Sequence, residues 1–190
     1  MFIQTESTPN PDTMKFIPGR VVLPNGTVHF SNADESVISP LASRIFAVSG
    51  VSSVYLGYDF ITVAKKKCDW SNLRPPILGV IMEHFISGDP VITDGYSVED
   101  GVKNDVEDCG FATIDSVVVT RIKDILDKHV RPAVAKDGGD IVFKGYKDGI
   151  VFLTMMGSCS GCPSATSTIK YGVMNLLNHF VPEVNDIRIV

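Results

Sequence analysis

The chain has 190 residues, of which 44% are hydrophobic, and it carries a formal net charge of −5. This length allows one large or two small domains, and no apolar run approaches the roughly 18 residues that cross a membrane. The acidic balance excludes a phosphate-neutralising surface, so we expect neither nucleic-acid nor membrane partners. Four cysteines are too few for a disulfide scaffold and favour a reducing compartment.

The first six residues, Met1–Glu6, contain neither a basic leader nor an apolar signal core. We therefore expect the protein to stay where it is made. That compartment is the bacterial cytoplasm, or the mitochondrial matrix if the chain is a processed eukaryotic form.

Residues 1–86 have the pattern of a small α/β domain. Turn dipeptides separate three short apolar runs, which predict strands. Ser39-Pro40 combines a helix cap with a proline suited to the first helical position, which predicts a helix over Leu41–Val48 that ends before Gly50. A hairpin and a second helix follow. The predicted strands are Met1–Thr5, Met14–Ile17, Val21–Leu23, Val51–Leu56 and Phe60–Ala64, and the second helix lies around Pro75–Phe85.

Residues 87–114 form an acidic segment with seven carboxylates and one lysine, which gives it a charge of −6 against +1 for the remainder. Its glycines and its lack of periodicity predict a linker.

Residues 115–190 predict a second α/β domain with the order helix, strand, strand, helix, strand. Apolar positions at helical spacing run from Val118 to Val130, and Pro132 predicts a kink or a restart. Lys147-Asp148-Gly149 predicts a hairpin turn. The fold class is therefore α/β (α+β), with two small domains, each a short sheet packed with helices. The remaining elements are strands at Ile141–Lys144, Ile150–Met155 and Ile187–Val190 and a helix with apolar positions from Ile169 to Phe180.

Cys159 and Cys162 form the only cysteine pair at metal-ligand spacing, and they stand where a strand gives way to a helix. Pro163 suits the first turn of that helix, whose positive end favours thiolates. Two thiolates are half of what a four-cysteine centre needs, so the spacing indicates two chains that share one zinc ion or one iron–sulfur cluster. A dithiol oxidoreductase and two merely buried thiols remain as alternatives.

Other residues give weaker signals. Cys68 and Cys109 lack a partner at ligand spacing, and the four histidines (His29, His84, His129, His179) do not pair, so we expect structural or incidental roles. The lysines at 65–67 fit a solvated strand end. No phosphate-binding loop is present. A hydrolase with its nucleophile in Gly157–Gly161 would need a downstream acid followed by a histidine, whereas His179 precedes Glu183 and Asp186, so we expect no enzyme and no catalytic residue.

The run GSCSGCPSATSTIKYGVMNLL, at 157–177, resembles the signature of the NifU C-terminal domain, and Asp137-Gly138-Gly139-Asp140-Ile141 matches the stretch that leads into it. The N-terminal half resembles the Nfu N-terminal domain through Thr8-Pro9-Asn10-Pro11 and Lys15-Phe16-Ile17-Pro18-Gly19. The chain is thus similar to the NifU/Nfu family over both predicted domains.

The resemblance implies an iron–sulfur cluster scaffold or carrier. In such proteins Cys159 and Cys162 of two chains would hold one [4Fe–4S] cluster in a homodimer. The cluster would come from upstream assembly proteins and pass to apo iron–sulfur proteins. The family supplies the cluster identity and the transfer role, because the spacing alone leaves zinc open.

Overall fold

A computed structural model describes residues 2–93, 116–160 and 163–190. Its contacts divide the chain into two compact units, Met1–Val102 and Lys103–Val190. Each unit has its own hydrophobic core. The predicted fold class is confirmed, because each unit consists of a sheet packed with helices.

The first unit is built on a five-stranded antiparallel sheet with the order β1-β2-β5-β4-β3. Its largest buried side chains include Phe16, Leu41, Ile61 and Ile77, which bring the sheet and both helices into one core. The strands are β1 (Gln4–Ser7), β2 (Thr13–Ile17), β3 (Val28–Phe30), β4 (Val51–Leu56) and β5 (Ile61–Lys65).

Helix α1 (Pro40–Phe46) starts as its sequence predicts. The Ser39 hydroxyl accepts a hydrogen bond from the Ala42 amide at 3.1 Å and donates one to the Val91 carbonyl at 2.6 Å. One fully buried side chain therefore caps the helix and fixes a segment 52 residues away. The Thr93 amide also donates to the Ile38 carbonyl. The start of the predicted linker thus packs on the first unit, and residues 94–114 lie outside the described ranges.

Two local predictions in this unit are wrong. Val21–Leu23 is not a strand, because the amides of Val22 and Leu23 both donate to the Tyr58 carbonyl, which leaves no ladder to join. Helix α2 spans Trp70–Ser87 and begins five residues before Pro75. Pro75 is exposed, and so is Ser71, whose carbonyl lies opposite the proline and receives no amide hydrogen from it.

The second unit follows the predicted element order. Two antiparallel strands form a hairpin, and the last strand pairs parallel to β7, which lies at the centre of the sheet. The elements are α3 (Ser116–Ile125), a π-helical turn (Leu126–Val130), α4 (Arg131–Lys136), β6 (Gly139–Lys147), β7 (Ile150–Gly157), α5 (Pro163–Phe180) and β8 (Asp186–Ile189).

Two sequence signals in this unit are confirmed in detail. Pro132 falls in the first turn of α4, so the helix restarts there after the π-helical turn. Asp148 and Gly149 have φ of 50° and 79°, and positive φ at both central residues is what a two-residue hairpin of type I′ requires. Within the described ranges, no helix is long and apolar enough to cross a membrane.

His84 is a buried histidine on α2 whose charge state is coupled to folding. Its Nδ1 lies 3.3 Å from an Arg44 guanidinium nitrogen, which can only donate, so the ring is neutral with its proton on Nε2. That Nε2 has no hydrogen-bond partner. Burial, followed by the Arg44 charge, lowers the pKa of His84 below 6.5, and Asp89 opposes this shift.

Lowering the pH should therefore destabilise the first unit. The unfolded chain takes up a proton at His84 near pH 6.5, whereas the folded chain resists it until lower pH, so unfolding binds protons in this window. We expect the free energy of unfolding to fall as pH drops below about 6.5, and His84→Leu to reduce that slope. Urea titrations between pH 7.5 and 5 test this. Replacement of exposed His179 by Gln is the control for the loss of one imidazole.

Candidate cluster-binding site

Cys159 lies in the turn that leaves β7. Its side chain is only 3% exposed and belongs to the hydrophobic core of the second unit. Gly157 has φ of 61°, which turns the chain at the end of the strand, and the Ser160 amide donates to the Gly157 carbonyl at 3.2 Å. The first of the two predicted ligands is therefore placed by a four-residue turn and faces the protein interior.

Gly139 provides the space in which the Cys159 thiol lies. It pairs with Gly157 across the β6–β7 ladder. A Cβ atom at position 139 would lie 2.3 Å from Cys159 Sγ and 3.1 Å from the Cys159 amide nitrogen. The first distance is a steric overlap, so only glycine at this position permits the observed thiol position.

Ser158 attaches the turn to the start of β6. Its hydroxyl donates to the Asp137 carbonyl at 2.6 Å, and its amide donates to the Gly138 carbonyl at 3.1 Å. Ser158 is itself buried, so these bonds are shielded from water. The Ser158 hydroxyl therefore holds the backbone of the turn in place.

A bidentate ion pair fixes the start of β6, where Gly139 contacts the Cys159 thiol. Arg131 Nε and Nη2 each donate to an Asp140 oxygen at 2.8 Å, and the Ile141 amide also donates to Asp140. The Asp140 side chain is 4% exposed. The hydrogen bonds from the Arg131 side chain to Asp140 are the main reason that the pKa of Arg131 is raised, so this guanidinium stays charged.

The second predicted ligand, Cys162, lies outside the described residues, as does Cys109. Helix α5 begins at Pro163, the residue that follows Cys162 in the sequence, so the predicted helix start is confirmed. The positive end of an 18-residue helix is thus adjacent in sequence to this cysteine.

Cys68 belongs to the first unit and is exposed. It lines an open cleft of about 830 Å³ together with Lys65 and Lys67. Strand β5 ends at Lys65, which pairs with Asp12 at 2.8 Å, so the predicted strand end is confirmed.

The histidines occupy separate places. His84 lies in the first core, and His29 lies on β3 in the first unit. The His129 ring stacks on Phe180, and His179 meets the same ring edge-on. Among the described residues, no three His, Cys, Asp or Glu side chains come together as a metal site.

Sequence reasoning missed two features of this site. It placed Gly139 in a turn without relating it to Cys159, and it did not pair Arg131 with Asp140. The first depends on a strand alignment that brings residues about 20 positions apart into contact. The second depends on a contact between α4 and β6 over nine positions. The available signal was the Asp137–Asp140 motif, whose two glycines and two carboxylates precede a strand.

Two family models match this chain over most of its length. Residues 3–88 match the model described as "Scaffold protein Nfu/NifU N terminal", and residues 122–188 match the "NifU-like domain". The chain has the two-domain arrangement of an iron–sulfur cluster scaffold. It belongs to the Nfu/NifU family.

Curated relatives agree with this assignment. The chain is 45% identical over 191 residues to the human "NFU1 iron-sulfur cluster scaffold homolog, mitochondrial", covering 99% of this chain and 71% of the human protein. It is 46% identical to the Drosophila erecta protein of the same name and spans 64% of that relative's length. A solution structure of a NifU-like protein from Saccharomyces cerevisiae is 29% identical, with a TM-score of 0.45, covering 50% of this chain and 86% of that one.

Breaking the Arg131–Asp140 pair should destabilise the second unit. Arg131→Met leaves a buried carboxylate without its cation, which costs about 3 kcal/mol, the lower end for buried pairs because the guanidinium is partly exposed. The free energy of unfolding of Arg131→Lys should lie between those of the wild type and Arg131→Met, because an ammonium cannot make the bidentate contact with the carboxylate. Chemical denaturation provides the measurement.

The matched control is Lys128→Met, which removes an exposed pair with Asp124 on the same helical segment. It should change the free energy of unfolding by less than about 1 kcal/mol. Equal effects of Arg131→Met and Lys128→Met would contradict the structural role assigned to Asp140.

Proposed function

We propose that this protein is a non-enzymatic carrier of iron–sulfur clusters. Cys159 and Cys162 from each of two chains ligate one [4Fe–4S] cluster in a homodimer. The observation that carries the proposal is the Cys-x-x-Cys pair between β7 and α5 in a chain that matches the NifU-like domain over residues 122–188. Four thiolates are the ligand set that such a cluster takes.

The residues around the pair suit this cargo. Thiolates are the binding form of cysteine, and the start of α5 favours negative charge. Among the described residues, no neighbouring His, Asp or Glu group completes a site around Cys159. The additional ligands are therefore assigned to Cys162 and to a second chain.

Sharing the ligands between chains makes the cargo transferable. Each acceptor thiolate that binds an iron displaces one thiolate of the carrier, so the charge and oxidation state of the cluster do not change. Separation of the two chains removes two ligands at once, which weakens the hold of the carrier. Apo iron–sulfur proteins are the acceptors, and upstream cluster assembly proteins are the donors.

The first unit serves as a docking or targeting module, and the acidic segment joins it to the cargo domain. The relatives carry the word "mitochondrial" in their names, which favours the mitochondrial matrix for this chain over a bacterial cytoplasm.

Loss of either ligand should abolish cluster binding. After anaerobic reconstitution with iron and sulfide, we expect a brown dimer with one [4Fe–4S] cluster per two chains. Cys159→Ser and Cys162→Ala should each remain colourless, because each leaves only two thiolates per dimer. Iron and sulfide analysis with light scattering gives the stoichiometry. A complete cluster on a single chain would contradict the shared site.

Removing the other cysteines should have no effect on the cluster. The double variant Cys68→Ser, Cys109→Ser is the matched control for the ligand variants, since it removes the same number of thiols per dimer as both ligand changes together. We expect wild-type iron content and wild-type activation of an apo-aconitase. Loss of the cluster in this variant would mean that Cys68 or Cys109 is a ligand, which contradicts the proposed site.

The alternative function, a zinc-bridged structural dimer, is distinguished by the metal that the protein retains after reconstitution. A reconstituted protein that stays colourless and retains only zinc would favour that alternative. A dithiol oxidoreductase would instead exchange with a substrate disulfide: Cys159 and Cys162 would become a disulfide while the substrate disulfide is reduced to two thiols, and the reverse step would oxidise two substrate thiols.

A further inference from the structure

We propose that Gly139 and Ser158 are positioning residues that hold Cys159 in its buried position, so that cluster loading requires this turn to release. The inference rests on the proposed function of Cys159 as a ligand. It adds a step that the ligand assignment does not contain. Cys68, in contrast, is exposed.

The Cys159 side chain is only 3% exposed, so a metal centre outside the unit cannot reach its thiol. A cluster shared with a second chain has to be reached at the surface of this one. The thiol must therefore leave its place over Gly139 before it binds iron.

Position 139 leaves room for the thiol only because it has no side chain. Cys159 Sγ lies 2.3 Å from the place that a Cβ atom of residue 139 would take. The same Cβ would also lie 3.1 Å from the Met156 carbonyl oxygen. Cysteine has a single side-chain torsion, so an alanine at this position would force the thiol to rotate away or the turn to shift.

Two hydrogen bonds from Ser158 hold the turn in place. They join it to Asp137 and Gly138, just before β6, and they must break for the turn to move outward. The strand start itself is held by Arg131 through Asp140. The turn can therefore open only if the Ser158 bonds break, while the start of the strand stays in place.

Alkylation of the metal-free, reduced full chain tests the inference without any cluster. Site-resolved mass spectrometry should show Cys159 reacting with iodoacetamide at least about tenfold more slowly than Cys68. Gly139→Ala should raise the Cys159 rate about tenfold. Gly172→Ala is the matched control, since a Cβ there meets nothing within 4 Å, and it should leave the rate unchanged.

Ser158→Ala keeps the inference testable if Gly139→Ala fails to fold. It adds no volume, and loss of one hydrogen bond should raise the Cys159 rate about two- to tenfold. The same variant should reach wild-type cluster occupancy sooner during reconstitution. A wild-type Cys159 that reacts as fast as Cys68, or an unchanged Ser158→Ala rate, would overturn the inference. Faster alkylation without faster loading would also overturn the release step.

These outcomes are separate from failure of the proposed function. If Cys159→Ser retains the cluster, the ligand assignment fails whatever the alkylation rates are. If Cys159→Ser loses the cluster but neither variant alters alkylation, the ligand assignment stands and the buried-thiol step fails.

Discussion

A carboxylate that is almost removed from water requires a cation with fixed geometry, and Asp140 meets this requirement through the two-pronged contact from Arg131. The pair joins the first turn of α4 to the second residue of β6. Gly139 is the residue immediately before Asp140, and the Cys159 thiol rests on it. The position of Cys159, the proposed cluster ligand, therefore depends on an ion pair that does not include the cysteine itself.

The two units differ in the number of strands and in which elements their cores contain. The first is an antiparallel sheet of five strands whose core includes both of its helices. The second has only three strands, and its core continues into the turn that carries Cys159. A ligand that is also a core residue is ordered by packing as well as by its own hydrogen bonds.

Much of this could be predicted from local patterns. The type I′ turn at Asp148-Gly149, the restart at Pro132 and the helix start at Pro163 each follow from the backbone preferences of one or two residues. The errors occurred where distant residues decide. Tyr58 takes the amides of the false strand at Val21–Leu23, and buried positions at Leu73 and Ile77 carry α2 through its prolines. The burial of Cys159 is of this second kind, because its spacing to Cys162 says nothing about Gly139.

The two hydrogen bonds of the Ser39 hydroxyl restrict which side chains can replace it. Many helix starts exchange serine, aspartate and asparagine freely, because each offers an acceptor to the first turn. Here the same oxygen must also give its hydrogen to the Val91 carbonyl, in a space with no access to water. Aspartate would set a negative charge against that carbonyl and has no hydrogen to donate to it. Replacement of Ser39 by aspartate would therefore keep the cap of α1 but lose the bond to Val91, so that one change at a helix start would release a segment 52 residues further along the chain.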